Sequence, residues 1–537
     1  MASMVYQKDN RSGITYAYKS VSYWDKEKKQ SRAKRTLIGR VDPETKEVVP
    51  TDGRGKKAKS IPEKPAKRGP IPSLHTRRTF YGATYLLDAL GEQIGITEDL
   101  KRCFPDKASQ ILSLAYYLIL EDTSPLFRFE KWNTLHRHPY GQNIPSQRSS
   151  ELFASITETD KQHFFRLQGK RRMAQEYWVY DITSVSSYSQ QLSQIQWGKN
   201  KEHDPLPQLN LALVFGEQSG LPFYYRKLAG NIPDAKTLHR LLTDLECLGF
   251  SPIKLVLDRG FYSADNLHAL YLSHLKFLIA GRMSLSFIRK ELEPHYDGFR
   301  HLDHYDEETE LYAHTVRTTW ETKQTRPYKG DTLSSPRRLY VHYYFNGEQA
   351  MEEEKAFDRK LLRLREELET DQRVAEHEIL YERYFEVART PKRGIKASIN
   401  EKAIAQIKRY LGFFVLLTNE TMDAKKALTL YRNKDVAEKA FGNLKERLNM
   451  RRMLVSSEQS LEGKLFVQFI ALIYLSCIKK RMQDTGLFKQ YTLQGVLDQL
   501  DLIECFEVPG SRLQVGEILE KQKAIYQSLG VPPPSSL

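Results

Sequence analysis

Residues Ile253–Asp258, IKLVLD, decide the fold. A short apolar run closed by Asp258 and broken by Arg259-Gly260 reads as a strand buried on both faces. Upstream, Asp234–Leu248 (DAKTLHRLLTDLECL) reads as a helix with Asp234 as its cap. Gln208–Phe215 (QLNLALVF) and Leu221–Leu228 read as strands joined by the turn GEQSG, and Tyr177–Asp181 (YWVYD) as a short strand ending in a carboxylate. Downstream, Ser263–His274 reads as a helix and Lys276–Ala280 as a further strand.

The resulting order is strand, strand, strand, helix, strand, helix, strand. It predicts an antiparallel meander of the first three strands, with the fourth laid parallel beside the first. Those two neighbours both finish in Asp, so Asp181 and Asp258 should meet at one sheet edge, where ligands of open α/β sheets bind. Either aspartate alone would serve as a turn residue; the paired placement points to a binding role.

A third carboxylate lies in Leu428–Met453, LTLYRNKDVAEKAFGNLKERLNMRRM, after a buried strand at Gly412–Thr418 (GFFVLLT). Read as one helix at about 100° per residue, Tyr431, Lys434 and Lys445 fall within roughly 40° of Glu438. Ala437, Phe441, Leu444 and Leu448 fall about 60–120° to one side and form a packing face. The helix thus presents one carboxylate among a phenol and two ammoniums.

Met283 to Ile407 interrupts the α/β pattern. Leu311–Glu321, Arg338–Phe345 and Tyr381–Ala388 read as strands, and Gln349–Gln372 as a long, charged, solvated helix. Before the α/β region, residues 80–170 are helical in pattern, with no helix-turn-helix spacing that marks a recognition helix. Residues 1–50 open with a β-hairpin (Ile14–Trp24, then Ser31–Gly39) and a turn at DPETKE. The stretch 51–79, rich in Lys, Arg, Pro and Gly, reads as a basic linker. The α/β core is expected over 171–282 and 408–485, the insertion over 283–407, and a small end piece over 486–537.

The chain has 537 residues, with 82 Lys and Arg against 67 Asp and Glu, a net charge of +15 and a pI near 9.3. That balance fits a polyanionic partner, above all nucleic acid. The four cysteines form no CxxC pair, which excludes a zinc-site spacing or disulfide framework and fits a reducing cytoplasm. The longest apolar run, Leu465–Ile478, contains Gln468 and reads as a buried helix, so no membrane partner is expected. GxxxxGK[ST], GxSxG and HExxH motifs are absent from the sequence.

Three motifs together resemble the DDE transposases of bacterial insertion sequences: YDITS at Tyr180–Ser184, LDRGFYSADNL at Leu257–Leu267, and Tyr431-x2-Lys434-x3-Glu438-x6-Lys445. The last is similar to the Tyr-Arg-Glu-Lys signature of the insertion-sequence-four-like group, with Lys434 in place of the signature Arg and Arg432 as a substitute. The resemblance spans roughly residues 10–485. It implies an RNase H-like, retroviral-integrase-like mixed sheet, interrupted by a mostly β insertion and preceded by an N-terminal β-hairpin and a helical DNA-binding region. It implies that Asp181, Asp258 and Glu438 are catalytic and hold two Mg²⁺ (or Mn²⁺) ions. Tyr431, Arg432, Lys434 and Lys445 would bind DNA, and Trp320 in the insertion is a candidate for stacking on a base. The partners implied are terminal inverted repeats and target DNA, engaged by a homodimer. The other readings are an RNase H-like nuclease without strand transfer and a transposase-derived DNA-binding protein without catalysis.

Overall fold

The computed structural model describes residues 2–535 apart from 27, 52–75, 122–123, 173–175, 189–191, 200, 202–203, 251–252, 326–331, 391–393, 449–451, 454–456 and 509–511. Most of the basic linker thus lies outside the described residues. The chain divides into two units, Met1–Leu74 and His75–Leu537.

In the first unit, β1 (Ala2–Lys8), β2 (Thr15–Asp25), β3 (Gln30–Val41) and β4 (Val48–Val49) form an antiparallel sheet in chain order. The β2–β3 hairpin is where the alternation of aromatic and β-branched residues put it. The turn at Asp42 is built by its side chain, which accepts from the Glu44 N–H at 2.9 Å. Strand β1 was not foreseen; its residues alternate too weakly to be read before their partners on β2 are known.

The second unit starts with β5 (Arg77–Phe80) and the helices α1 (Gly82–Gln93), α2 (Ile96–Cys103), α3 (Ala108–Leu120), α4 (Phe129–Leu135), α5 (Ser146–Ala154) and α6 (Glu158–Lys170). Gly95, at φ +77°, takes the left-handed turn that separates α1 from α2. The meander follows: β6 (Trp178–Ser187), β7 (Gln208–Gly216) and β8 (Pro222–Ala229). Then come α7 (Asp234–Cys247), β9 (Lys254–Leu257), α8 (Ala264–Leu272) and β10 (Lys276–Ala280). Strand β6 is antiparallel to β7 and parallel to β9, and β9 is parallel to β10, as the order of elements predicts.

Residues 283–407 depart from expectation. They comprise α9 (Ser286–Leu292), β11 (Tyr305–Asp306), β12 (Leu311–Thr325), β13 (Thr332–Phe345), α10 (Gly347–Glu369), α11 (Glu378–Tyr384), β14 (Phe385–Thr390), β15 (Gly394–Ile399) and α12 (Glu401–Lys408). Helix takes as much of this segment as strand, so it is not mostly β. Nor is it set apart from the main sheet. Strand β13 pairs with β16 (Phe413–Thr418), which in turn pairs with β10, giving the order β11-β12-β13-β16-β10-β9-β6-β7-β8. Helix α10 is no solvated spacer either. Leu361, Leu364 and Leu368 share one face at helical spacing and enclose a second small core with Tyr381, Tyr384 and Ile404. Tyr381 and Tyr384 therefore lie on a helix, one turn apart, where a strand was expected.

The chain continues through α13 (Ala424–Arg432), α14 (Asp435–Gly442), a π-helical turn (Asn443–Arg447) and β17 (Arg452–Met453) to α15 (Glu458–Asp484). Helix α15 is long and apolar enough to cross a membrane, but 89% of its apolar window is buried inside the protein. It packs on α3, α5 and β8, with Leu465, Phe466, Ile470 and Ile473 inside one core shared by the helices and the sheet. Finally α16 (Leu493–Asp501), β18 (Glu504–Glu507), β19 (Gln514–Val515) and α17 (Glu520–Ser528) return to the start of the unit. Strand β18 pairs with β5, Cys505 against Thr79.

Candidate active site

Asp181 and Asp258 are neighbours. The parallel register pairs Trp178 with Leu255, Val179 with Val256 and Tyr180 with Leu257, so the two aspartates are the next residues on each chain. Asp181 is not a strand end, however. Strand β6 runs on to Ser187 because Ile182 and Val185 are buried like the residues before them, and its last residues pair with β17 (Ser186 with Arg452, Ser187 with Met453). On that side of β6, β9 stops at Leu257 and β17 starts opposite Ser186. Asp181 lies where β9 leaves the sheet.

The turn that carries Asp258 away is fixed by its own motif. Asp258 precedes a 3-10 turn at Arg259–Phe261. Asn266 is buried and donates from Nδ2 to Phe261 O at 2.6 Å and Ala235 O at 2.8 Å, tying the turn to α7. Ser263 caps α8, its Oγ accepting from the Asn266 N–H at 3.1 Å. Tyr180 Oη donates to Thr237 Oγ1 at 3.0 Å, holding β6 against α7.

The third carboxylate comes from a broken helix. The single helix expected over Leu428–Met453 ends at Arg432 and restarts at Asp435. Asn433, a poor helix former, stands at the break and donates from its side chain to Glu217. Lys434 and Glu438 remain one helical turn apart, 3.2 Å between Nζ and Oε1. Phe441, Leu444 and Leu448 are buried as the packing face requires, each stabilising by about 1.5–3 kcal/mol; the side chain of Ala437 is outside the described residues. The π turn shifts the residues after it relative to a straight helix. Lys445 is 9% exposed there, whereas Glu438 is exposed.

Lys434 links the carboxylates. Its Nζ lies 3.5 Å from Asp258 Oδ1 as well as 3.2 Å from Glu438. Burial alone would lower its pKa; the charges of Asp258, Glu438 and Asp181 outweigh it and hold the ammonium protonated. Tyr431 Oη donates to Asp258 Oδ1 at 2.6 Å. Burial pushes the Asp258 carboxyl up, but the Tyr431 hydrogen bond and the Lys434 charge prevail, leaving it below the usual range. Asp181 behaves oppositely. Burial raises it to about 6, opposed by the Lys201 charge and the Ile182 N–H, and reinforced by Asp258.

Arg432 is exposed at the end of α13, and its charge acts on the Tyr344 phenol. Trp320 is packed, its ring 5.6 Å from His268 and 5.5 Å from Phe287.

One functional candidate escaped the sequence reading. Lys201, in the loop between β6 and β7, donates from Nζ to Ile182 O at 2.5 Å and pairs with Asp234 Oδ2 at 3.2 Å. Asp234 is therefore not a cap, since it is the first residue of α7 and makes no capping bond. No spacing rule connects Lys201 to the aspartates; only the closed sheet does.

As the side chains stand, no three His, Cys, Asp or Glu groups among the described residues converge tightly enough to hold an ion. The donor set nevertheless suits a hard cation. Two carboxylates face one ammonium at salt-bridge distance, a third feels its charge, and all three offer the oxygen ligands that Mg²⁺ and Mn²⁺ prefer.

Residues 175–474 match the family model described as a transposase DDE domain. The chain belongs to the DDE transposase family. No curated protein sequence matches this transposase. Among solved structures it is similar to a cryo-EM structure of a piggyBac transposase synaptic complex with hairpin DNA. The identity there is 8%, with 77% of this chain and 70% of that chain covered and a TM-score of 0.31.

Proposed function

We propose that the transposase cuts DNA at the ends of an insertion sequence and joins the freed 3′-OH to target DNA. The observation that carries this reading is the parallel register of β6 and β9. It brings Asp181 beside Asp258, with Tyr431 arriving from α13, Lys434 from the break that follows it and Glu438 from α14. The order β8-β7-β6-β9-β10, three antiparallel strands and then two parallel ones, supports an RNase H-like core. The YDITS and LDRGFYSADNL motifs and the Tyr431–Lys445 signature support the insertion-sequence-four-like group.

In this reading Asp181, Asp258 and Glu438 hold two Mg²⁺ or Mn²⁺ ions. When bound, such ions activate a nucleophilic oxygen and stabilise the leaving oxygen of a phosphodiester. Tyr431 fixes the Asp258 carboxylate by its hydrogen bond. Lys434 supplies positive charge beside the scissile phosphate and, with Tyr431, holds the Asp258 carboxylate ionised. Arg432, exposed at the end of α13, meets a neighbouring phosphate, a contact that positions the duplex without reading its sequence; Lys445, expected beside it, is buried in the π turn. The basic balance of the chain supports DNA as partner, and two ends held for joining call for a homodimer.

The test is Mn²⁺- or Mg²⁺-dependent nicking of a plasmid that carries the DNA flanking the gene, with wild type beside Glu438→Gln. Nicking and joined products from wild type, both lost in Glu438→Gln while end binding persists, are the expected result. Nicking without joined products leaves a nuclease. Equal nicking by both proteins overturns the assignment of Glu438.

A further inference from the structure

The first unit holds a protruding ribbon. Strand β1 pairs with β2 only as far as Val21, and β4 pairs with β3 only at Arg40 and Val41. Beyond those partners, Ser22–Asp25 and Gln30–Ala33 pair with each other alone among the described residues. The hairpin tip is thus a two-stranded antiparallel ribbon. Its turn is built rather than loose, because Asp25 Oδ1 accepts from the Lys28 N–H at 3.1 Å and Asp25 Oδ2 lies 3.6 Å from Arg32 Nε.

The ribbon carries aromatic rings and positive charge where solvent would favour neither rings nor crowded cations. Tyr23 is 50% exposed and Trp24 63% exposed. Cross-strand register pairs Tyr23 with Arg32 and Val21 with Lys34, so Tyr23, Arg32 and Lys34 share one face. Lys26 and Lys28 stand exposed at the tip. An apolar partner would leave these charges desolvated and unpaired, whereas a polyanion pairs them.

We infer that the β2–β3 tip enters the major groove of duplex DNA, with the Tyr23–Arg32–Lys34 face toward the base edges and the tip lysines on phosphates. A two-stranded ribbon fits a groove about 12 Å wide, and the third strand, β1, which joins the sheet at Val21, stops deeper entry. The inference deepens the transposase reading and rests on it. It assigns DNA contact to the N-terminal sheet, where the sequence had pointed to the helices of residues 80–170.

The experiment uses the full chain and short duplexes, one bearing the flanking end sequence and one scrambled. Affinity is measured between about 50 and 200 mM salt for wild type, Tyr23→Ala/Arg32→Ala and Lys26→Ala/Lys28→Ala, with thermal unfolding as the folding control. The lysine pair should weaken binding to both duplexes and lower the salt slope by about two. The Tyr23/Arg32 pair should cost about tenfold on the end duplex and less on the scrambled one. Methylating guanine N7, which blocks the major groove, should inhibit wild-type binding at the same end. If wild type binds and both variants bind alike with unchanged slope, or if N7 methylation has no effect, the ribbon inference fails and the transposase reading stands. If wild type binds neither duplex, both fail.

Discussion

Tyr431 shows how one hydroxyl sets the charge of a site. Its hydrogen bond to Asp258 competes with the burial of that carboxyl, and with Lys434 it prevails. A hydrogen bond to a charged group is worth about 1.5–3 kcal/mol. Tyr431→Phe should therefore slow nicking by about tenfold or more with end binding unchanged, as judged by nicking rate against gel-shift affinity. Lys434 contacts two carboxylates and should be less forgiving. Lys434→Met should abolish nicking, whereas Lys434→Arg keeps the charge and should restore part of it. The meeting of Asp181 with Asp258 and of Lys434 with Glu438 was legible in the sequence, because apolar runs and helical spacing are local properties, although Asp181 lies inside β6 and not at its end. Lys201 was not. Its link to Ile182 and Asp234 joins a loop to two elements far apart in sequence, and no periodicity reports that.

Helices and strands met expectation wherever local pattern governed them, and departed from it wherever a distant partner did. Strand β6 outran its predicted end because β17 pairs with its last residues. The helix over Leu428–Met453 broke because Asn433 finds Glu217. Contacts between helices are equally hidden, and Gly463 on α15 is a case in point. A Cβ there would lie 2.1 Å from Phe153 O and 2.4 Å from Phe153 Cα, both backbone atoms of α5. Neither helix can yield without disturbing the core, so Gly463→Ala should destabilise by about 1–3 kcal/mol, read as a lowered thermal midpoint. Helix α1 carries a pH-dependent weakness. Burial raises the Asp88 carboxyl to about 6, although Tyr116 Oη donates to it at 2.8 Å. Its folded pKa lies above its unfolded value, so the native state binds the extra proton. The contribution of Asp88 to stability should fall as pH rises from about 4 to 6, by up to roughly 3 kcal/mol. Asp88→Asn should remove that fall; the two proteins should unfold alike near pH 4, with the variant more stable at pH 7.

At the scale of the whole molecule, the end of the chain completes the start of the second unit. Tyr81 N–H donates to Ile503 O at 2.8 Å, and Tyr526 Oη donates to Gly82 O at 2.8 Å. Tyr526 and Leu529 are fully buried. Truncation after Leu502 should therefore strip β5 of its partner and open the helical core, giving a protein that loses its cooperative melt by circular dichroism. The α/β class and the order β8-β7-β6-β9 were legible in the sequence; the union of β13 with β16 and of β5 with β18 was not, since both pairings depend on closure of the chain over long distances.

The place of β16 in the sheet also has a consequence in time. Strand β10 ends at Ala280, yet β16, which pairs beside it, begins at Phe413. A ribosome making this chain releases β10 as a bare sheet edge well before its neighbour exists. Edges of that kind recruit other strands. Synthesis of the transposase should thus pass through a sticky half-sheet, and chains stopped short of Thr418 should aggregate rather than persist as competent fragments.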